Sequence, residues 1–88
     1  MKIKISFKEG FSKTIGSLNK KQRDKLIGLV VLLSDNPFNT KLQTKALSGE
    51  LSGLYSFRIS RDWRVLFKFI SPTEIRLLEV GHRKDIYK

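Results

Sequence analysis

The stretch that decides the fold is Leu51–Phe69, which reads LSGLYSFRISRDWRVLFKF. Two segments in it alternate apolar with polar side chains, the period of two that is typical of half-buried strands. A turn at residues 60–62 separates them, so the stretch predicts a β-hairpin. Facing side chains on neighbouring strands lie only about 5 Å apart. We therefore expect Arg58 and Arg64 to project close together from one face, where two like charges need an anion to offset their repulsion.

The length and the charge of the chain restrict both its organisation and its partners. Eighty-eight residues predict one small domain covering 1–88. The formal net charge of +10 is divided equally between residues 1–40 and 41–88, so it is spread through the fold and not confined to a basic tail. Such a surface favours a nucleic-acid partner, an acidic protein partner, or both in turn.

The cysteine content and the hydropathy of the chain indicate the cellular compartment in which we expect it. The chain has no cysteine, which excludes disulfides and thiolate chemistry and is compatible with a reducing cytosol. The longest apolar run, Leu26–Leu33, is far below the roughly 20 residues that span a bilayer. The N-terminus MKIKISFKEG lacks the apolar segment of a secretory signal. We expect a cytoplasmic protein that does not associate with a membrane.

The residues before the hairpin predict one strand and two helices. Lys2–Phe7 alternates as a strand does. Apolar residues at helical spacing predict a short helix over Lys8–Gly16. Asn19 followed by Gln22 has the form of a capping box, so a second helix should cover Lys20–Ser34 and end before Asn36–Pro37.

The residues after these helices complete the fold. Residues 38–50 have no firm period and predict a loop with room for one extended segment. Glu74–Val80 predicts a third strand of the hairpin group, apolar on both faces and ended by Gly81. The resulting order, βααβββ, predicts an α+β fold in which a small antiparallel sheet has two N-terminal helices packed on one face.

The polar residues exclude most kinds of catalytic site. The eight acidic residues are scattered, without the paired spacing of a metal site, and no glycine pattern forms a phosphate-binding loop. No serine motif resembles a nucleophile elbow, and His82 is the one histidine. We therefore expect neither a metal nor another cofactor.

Metal-independent RNA cleavage remains compatible with this composition. A 2′-hydroxyl attacks its own phosphodiester, so the protein supplies charge stabilisation and proton transfer. Arginine suits the first role and histidine the second, and tyrosine can orient a hydroxyl or stack on a base. Each residue type also has an ordinary structural explanation, as a solvated arginine, a structural histidine or a packed tyrosine. The candidates that could converge on one sheet surface are Arg58, Arg64, His82, Arg83 and Tyr87.

The same residues resemble a known family. The hairpin stretch followed by LLEVGHRKDIYK resembles the RelE/ParE superfamily of bacterial and archaeal toxins, including its RelE and YoeB branches. Asn36–Pro37–Phe38 and Lys45–Ala46–Leu47 match as well, so the resemblance covers nearly the whole chain. It implies a RelE-like fold, a ribosome-dependent endoribonuclease that cuts messenger RNA in the decoding site, and an acidic antitoxin partner.

The resemblance also implies roles for single residues. Arg58 and Arg64 would hold the scissile phosphate, Arg83 would help the leaving group, and Tyr87 would pack against or orient the substrate. His82 occupies a position that is lysine in the RelE branch. Basic side chains that could contact messenger RNA or 16S ribosomal RNA are Lys41, Lys45, Arg61, Lys68 and Lys84.

Two departures from the family pattern concern the general base. Ser56 replaces the first of the paired strand lysines of the RelE branch, and Lys45 replaces the glutamate that serves the YoeB branch as base. Arginine is a poor base, so His82 is the remaining candidate. Two alternatives stay open at this point: a ParE-like toxin that binds a protein target such as DNA gyrase, and an inactive homologue that retains only antitoxin binding.

Overall fold

The hairpin is the centre of a five-stranded sheet. The computed structural model describes residues 2–87; Met1 and Lys88, the two ends of the predicted domain, lie outside the described residues. The elements in chain order are β1 (Lys4–Phe7), α1 (Phe11–Ile15), α2 (Lys20–Asp35), β2 (Lys45–Ala46), β3 (Tyr55–Arg58), β4 (Trp63–Ser71) and β5 (Glu74–His82), with short 3-10 turns at Thr40–Leu42 and Gly49–Leu51.

The predicted hairpin is confirmed. β3 and β4 pair antiparallel, and both Ile59 and Ser60 donate their backbone N–H groups to the carbonyl of Trp63 to close the turn. β4 then pairs antiparallel with β5 along most of its length. The strand order across the sheet is β1-β5-β4-β3-β2, so the long strands β4 and β5 occupy interior positions.

One feature of the sheet differs from the expectation, and one expected feature is found. The sheet is mixed and not wholly antiparallel, because β1 runs parallel to β5 with Lys4 opposite Glu74. No hairpin joins these two strands, and only tight turns oblige neighbouring strands to be antiparallel. The extended segment for which residues 38–50 left room is found as a fifth strand, the two-residue β2, which pairs with β3.

The end of β5 also differs from the expectation. Gly81 does not end the strand but lies inside it, opposite Arg64, and His82 is its last residue. Gly81 keeps an ordinary extended backbone, so its role is not a turn. It leaves space for Ile86 instead: a Cβ on Gly81 would come within 3.2–3.3 Å of three carbons of the Ile86 side chain.

The two helices pack on one face of the sheet, as predicted for this α+β fold. Phe11 of α1 and Leu26, Leu29 and Leu33 of α2 are buried. They form one core with side chains from the inner face of the strands, namely Phe57, Val65, Phe67, Ile75, Leu77 and Val80. The opposite face of the sheet has no helix on it and carries the arginines.

The predicted start of the second helix is confirmed in detail. The Asn19 side chain accepts a hydrogen bond from the backbone N–H of Gln22 at 2.8 Å, and the Gln22 side chain accepts one from the backbone N–H of Asn19 at 3.0 Å. This reciprocal capping box satisfies two N–H groups that a helix start otherwise leaves unpaired. α1 is shorter than predicted, because Gly10, with φ +88, holds a left-handed backbone that starts the helix only at Phe11.

Only one side of the apolar half of α2 is buried. Ile27 is 68% exposed and Val31 is 53% exposed, and both line a shallow groove beside β1 and β5. Exposed Phe7 lies at the same shallow groove, which is lined entirely by apolar side chains of β1, α1, α2 and β5. No helix within residues 2–87 is both long and apolar enough to cross a bilayer.

Replacing Asn19 by alanine removes the capping acceptor while leaving the rest of α2 unchanged. We expect the free energy of unfolding to fall by about 1 kcal/mol, because one helical N–H loses its partner. Urea denaturation followed by circular dichroism measures the change. Gln22→Ala removes the other half of the capping box, and the double variant should cost less than the sum of the two single variants. An unfolding midpoint for Asn19→Ala equal to that of the wild type would contradict the role of the cap.

Candidate functional site

Arg58 and Arg64 form a like-charged pair at the end of the hairpin. They are directly opposite partners in the β3–β4 register, and both side chains are half-buried on the face of the sheet that the helices leave open. Within residues 2–87 neither guanidinium has a carboxylate in ion-pair distance. The predicted convergence of the two arginines is therefore found, and no carboxylate of the described residues forms an ion pair with either of them.

The electrostatic setting of Arg64 reflects this crowding of positive charge. Burial has the largest effect and lowers the pKa of Arg64, and Arg58 and Arg83 lower it further, while Tyr87 and Asp62 act in the opposite direction. The Nε atom of Arg64 is buried and has no hydrogen-bond acceptor among the described residues. An unsatisfied donor of a charged group costs free energy, which an oxyanion bound to the guanidinium would offset.

The C-terminal tail brings a phenol to this pair. After β5 the backbone turns, with the N–H groups of Asp85 and Ile86 both directed at the carbonyl of His82. Ile86 is buried against Gly81, and the next residue, Tyr87, reaches β3. There its hydroxyl lies 3.1 Å from the Ser56 hydroxyl in a hydrogen bond.

These side chains surround a small cavity of about 220 Å³ on the open face of the sheet. Its lining residues provide three cationic groups, two hydroxyls and one carboxamide, from Arg58, Arg64, Lys45, Ser56, Tyr87 and Gln43. Neither a carboxylate nor an imidazole is among them. The arrangement suits a phosphodiester, which arginine binds through paired N–H···O contacts and lysine as a point charge.

His82 lies apart from this cavity, so its expected convergence with the arginines is not found. It pairs with Trp63 in the β4–β5 register, one position beyond the Arg64–Gly81 pair, and successive side chains of a strand point to opposite faces. Its ring stands edge to face with that of Trp63, with centroids 5.5 Å apart. Its Nδ1 accepts a hydrogen bond from the backbone N–H of Lys84 at 3.2 Å. A neutral imidazole in that arrangement carries its proton on Nε2 and donates there.

The other predicted basic residues are distributed over the surface. Arg83 is near enough to Arg64 to affect its pKa, and its Nε forms an ion pair with Asp62 Oδ1 at 3.3 Å. Lys45 lines the cavity. Lys68 lies farther along β4, opposite Arg76 of β5. The remaining three are exposed in turns or in the tail: Lys41, Arg61 and Lys84.

Two residues that line the cavity, Ser56 and Gln43, are not among the predicted site residues. Ser56 alternates with Phe57, which is buried among the helices, so the strand pattern already placed it on the face of Arg58. Its buried hydroxyl could have been recognised from that pattern as a group in need of a partner. Gln43 comes from a loop more than ten residues away, and nothing in the sequence indicates its position.

Across residues 2–87, no three side chains of the histidine, cysteine, aspartate or glutamate types come together in a way that could hold a metal ion.

Comparisons with known proteins give a family and a fold. A family model described as the ParE toxin of the type II toxin–antitoxin system parDE matches residues 5–87. No curated protein matches the chain.

Several solved structures have the same fold. The DinJ–YafQ toxin–antitoxin complex of E. coli contains a chain with a TM-score of 0.78 and 20% identity, and the match covers 100% of both chains. The RelBE2 toxin–antitoxin complex of Mycobacterium tuberculosis gives a TM-score of 0.78 at 23% identity, covering 97% of this chain and 95% of that one. The archaeal RelE–RelB complex of Pyrococcus horikoshii gives 0.77 at 22% identity, covering 97% and 99%.

Replacing Gly81 by alanine tests how the tail is held. The added methyl would meet Ile86 at 3.2–3.3 Å, so the tail must shift away from the sheet. We expect the free energy of unfolding to fall by about 1 kcal/mol, the lower end of the cost of overpacking. The shift also carries Tyr87 away from Ser56, so backbone NMR shifts should change in residues 82–87 and in β3.

Gly28→Ala is the matched control for this variant. Gly28 is an exposed residue of α2 with open space where the methyl would be. The same substitution there should raise the free energy of unfolding by about 0.5–1 kcal/mol, because alanine is the better helix former. If Gly81→Ala were as stable as wild type and left the shifts of β3 unchanged, the tail would not depend on this contact.

Proposed function

Because the chain belongs to the ParE toxin family of type II toxin–antitoxin systems, within the RelE/ParE superfamily, we propose that it is a toxin that cuts messenger RNA on the ribosome. The reaction is a metal-independent attack of a 2′-hydroxyl on the neighbouring phosphodiester, which forms a 2′,3′-cyclic phosphate and breaks the bond to the 5′-oxygen, which leaves as a protonated hydroxyl. Its consequence is the arrest of translation in the cytoplasm. One observation carries the proposal: Arg58 and Arg64 oppose each other across the hairpin, and neither forms an ion pair with a carboxylate of the described residues.

In this proposal the arginines stabilise the charge that develops on the phosphate. Attack by the 2′-oxygen concentrates negative charge on the nonbridging oxygens, and preorganised cations of a half-buried site interact with it more strongly than water does. Arg58 and Arg64 are held by the sheet before substrate arrives, so little reorganisation accompanies the reaction. Lys45 and Arg83 add positive charge at the edges of the cavity.

Proton transfer is assigned to Tyr87 and not to His82. The phenol lies at the cavity next to the arginines, while the imidazole lies on the other face with Nδ1 already bound to Lys84. Tyrosine is among the residues that act as general acids or bases. Its hydrogen bond with Ser56, in which either hydroxyl can donate, holds the phenol at the cavity.

The proposed partner in the cell is an acidic antitoxin. The net charge of +10 favours an acidic chain, and the exposed apolar side chains Phe7, Ile27 and Val31 favour an amphipathic one that folds as it binds. The E. coli, Mycobacterium tuberculosis and Pyrococcus horikoshii structures with this fold are complexes of a toxin with its antitoxin.

A second candidate function is that of a toxin that binds a protein target such as DNA gyrase. The match of the ParE family model over residues 5–87 favours it, and so does the absence of a carboxylate or imidazole base among the described residues that line the cavity. Primer extension on messenger RNA after induction separates the two. Discrete cuts at ribosome-occupied codons support the nuclease, and DNA damage without such cuts supports the gyrase-type toxin.

Replacing Arg64 by alanine tests the charge-stabilising role. We expect cleavage of messenger RNA in a translation reaction to slow by about 10²–10³-fold, the effect of losing one preorganised donor to a transition-state oxyanion. Primer extension on samples taken at intervals gives the rate. Arg64→Lys keeps the charge but not the planar guanidinium, so its cleavage rate should lie between those of the wild type and Arg64→Ala.

Arg23→Ala is the control for the loss of one positive charge, because Arg23 is exposed on α2, far from the open face of the sheet. It should cut at the wild-type rate. An Arg64→Ala protein that folds normally and cuts as fast as wild type would remove Arg64 from the mechanism.

Tyr87→Phe removes the phenolic hydroxyl and keeps the ring. We expect the cleavage rate to fall by about 10²–10⁴-fold, the usual contribution of a general acid or base. Ser56→Ala removes only the hydrogen-bond partner of the phenol and should slow cleavage less. If Tyr87→Phe cut at the wild-type rate, proton transfer would have to be assigned to another group.

A further inference from the structure

Gln43 holds an uncommon backbone conformation at the edge of the cavity. Its φ of 49° and ψ of 48° are left-handed, and it ends the short 3-10 turn Thr40–Leu42. A side chain with a Cβ costs about 1–2 kcal/mol in this conformation relative to the right-handed one. The other described residues with positive φ are all glycines, namely Gly10, Gly49 and Gly53. The chain therefore has a glutamine at a position where a glycine would make the folded protein more stable.

The side chain at this position is exposed and available. It lines the same cavity as Arg58 and Arg64, and its carboxamide has no hydrogen-bond partner among the described residues. The two hydroxyls of the cavity, those of Ser56 and Tyr87, are engaged with each other. The carboxamide of Gln43 is thus the neutral polar group of the described lining that is left without a partner.

A carboxamide has a chemistry that the cationic groups of the cavity lack. It presents a donor and an acceptor side by side, and so it can pair with one edge of a base, of which adenine N6 and N7 are the usual partners of glutamine. Lysine and arginine at this cavity are suited to the phosphate instead. Single-stranded RNA presents its base edges freely to such side chains.

We propose that Gln43 reads the base next to the phosphate held by Arg58 and Arg64, and that it favours adenine there. This inference rests on the proposed ribonuclease function. It explains why a strained backbone is kept at residue 43: the left-handed residue places Gln43 in the lining of the cavity, and strain of this kind is concentrated at functional sites. Gln43 then determines which phosphodiesters are cut, while the arginines determine how fast.

Two substitutions separate base recognition from backbone strain. Gln43→Gly removes the carboxamide and relieves the strain, while Gln43→Ala removes the carboxamide and keeps the strain. The wild type and both variants are induced in cells, and the 5′ ends of the cleaved messenger RNA are mapped by sequencing. We expect the enrichment of adenine beside the cut to fall about tenfold in both variants, the lower part of the range for one bidentate base contact.

Stability shows separately whether each variant keeps or relieves the strain of the left-handed backbone. In urea denaturation Gln43→Gly should unfold at a higher concentration than Gln43→Ala, since only glycine relieves the left-handed strain. A role of the strained backbone alone would leave the adenine preference of the alanine variant at the wild-type level and change only that of the glycine variant. Base recognition makes the two equal in base preference although they differ in stability.

Three outcomes would overturn the inference, and they are distinguishable. A wild-type protein that produces no cuts overturns both this inference and the proposed function. A wild type that cuts without any base preference beside the scissile phosphate overturns this inference alone. So does an adenine preference that persists unchanged in both variants.

Discussion

Two guanidinium groups, those of Arg58 and Arg64, face each other across β3 and β4, and the rest of the site depends on the sheet that keeps them there. Like charges on facing strand positions repel, so the pairing of these two residues is unfavourable by itself. The register is fixed instead by the other face of the hairpin, where Phe57 and Val65 are fully buried under the helices. A slip of one residue would expose those side chains to water, and the cost of that exposure exceeds the repulsion of one half-buried pair.

The apolar core thus holds the polar face in position from behind. Buried residues of α1 and α2 cover one side of the sheet and leave the other free of helices, which is why the basic residues of β3 and β4 share an open surface. Part of that surface is covered by the tail, because Ile86 packs on Gly81 and brings Tyr87 over Ser56. The cavity is therefore assembled from three separate parts of the chain: the hairpin, the tail and the segment from Gln43 to Lys45.

His82 illustrates how strand geometry decides between neighbours in sequence. It is adjacent to Arg83, whose charge acts on Arg64, yet its own ring packs against Trp63 on the other face. Its chemical type made it the natural candidate for proton transfer, but alternation along β5 sends it away from the arginines. In a small sheet, the face to which a side chain points is as important for its function as its chemical type.

The sequence by itself determined the α+β class, the capping box that starts α2, the β3–β4 hairpin and the meeting of Arg58 with Arg64, because periodicity, caps and tight turns are local signals. Only the tertiary structure decided that β1 pairs with β5 in parallel and that Gly81 leaves space for the Ile86 side chain instead of ending β5. It also decided that Gln43 lies at the cavity and that His82 does not. These contacts join residues far apart in the chain or depend on the face a strand presents after packing. These contacts form only when the elements pack around the shared core, and no local sequence pattern predicts that packing.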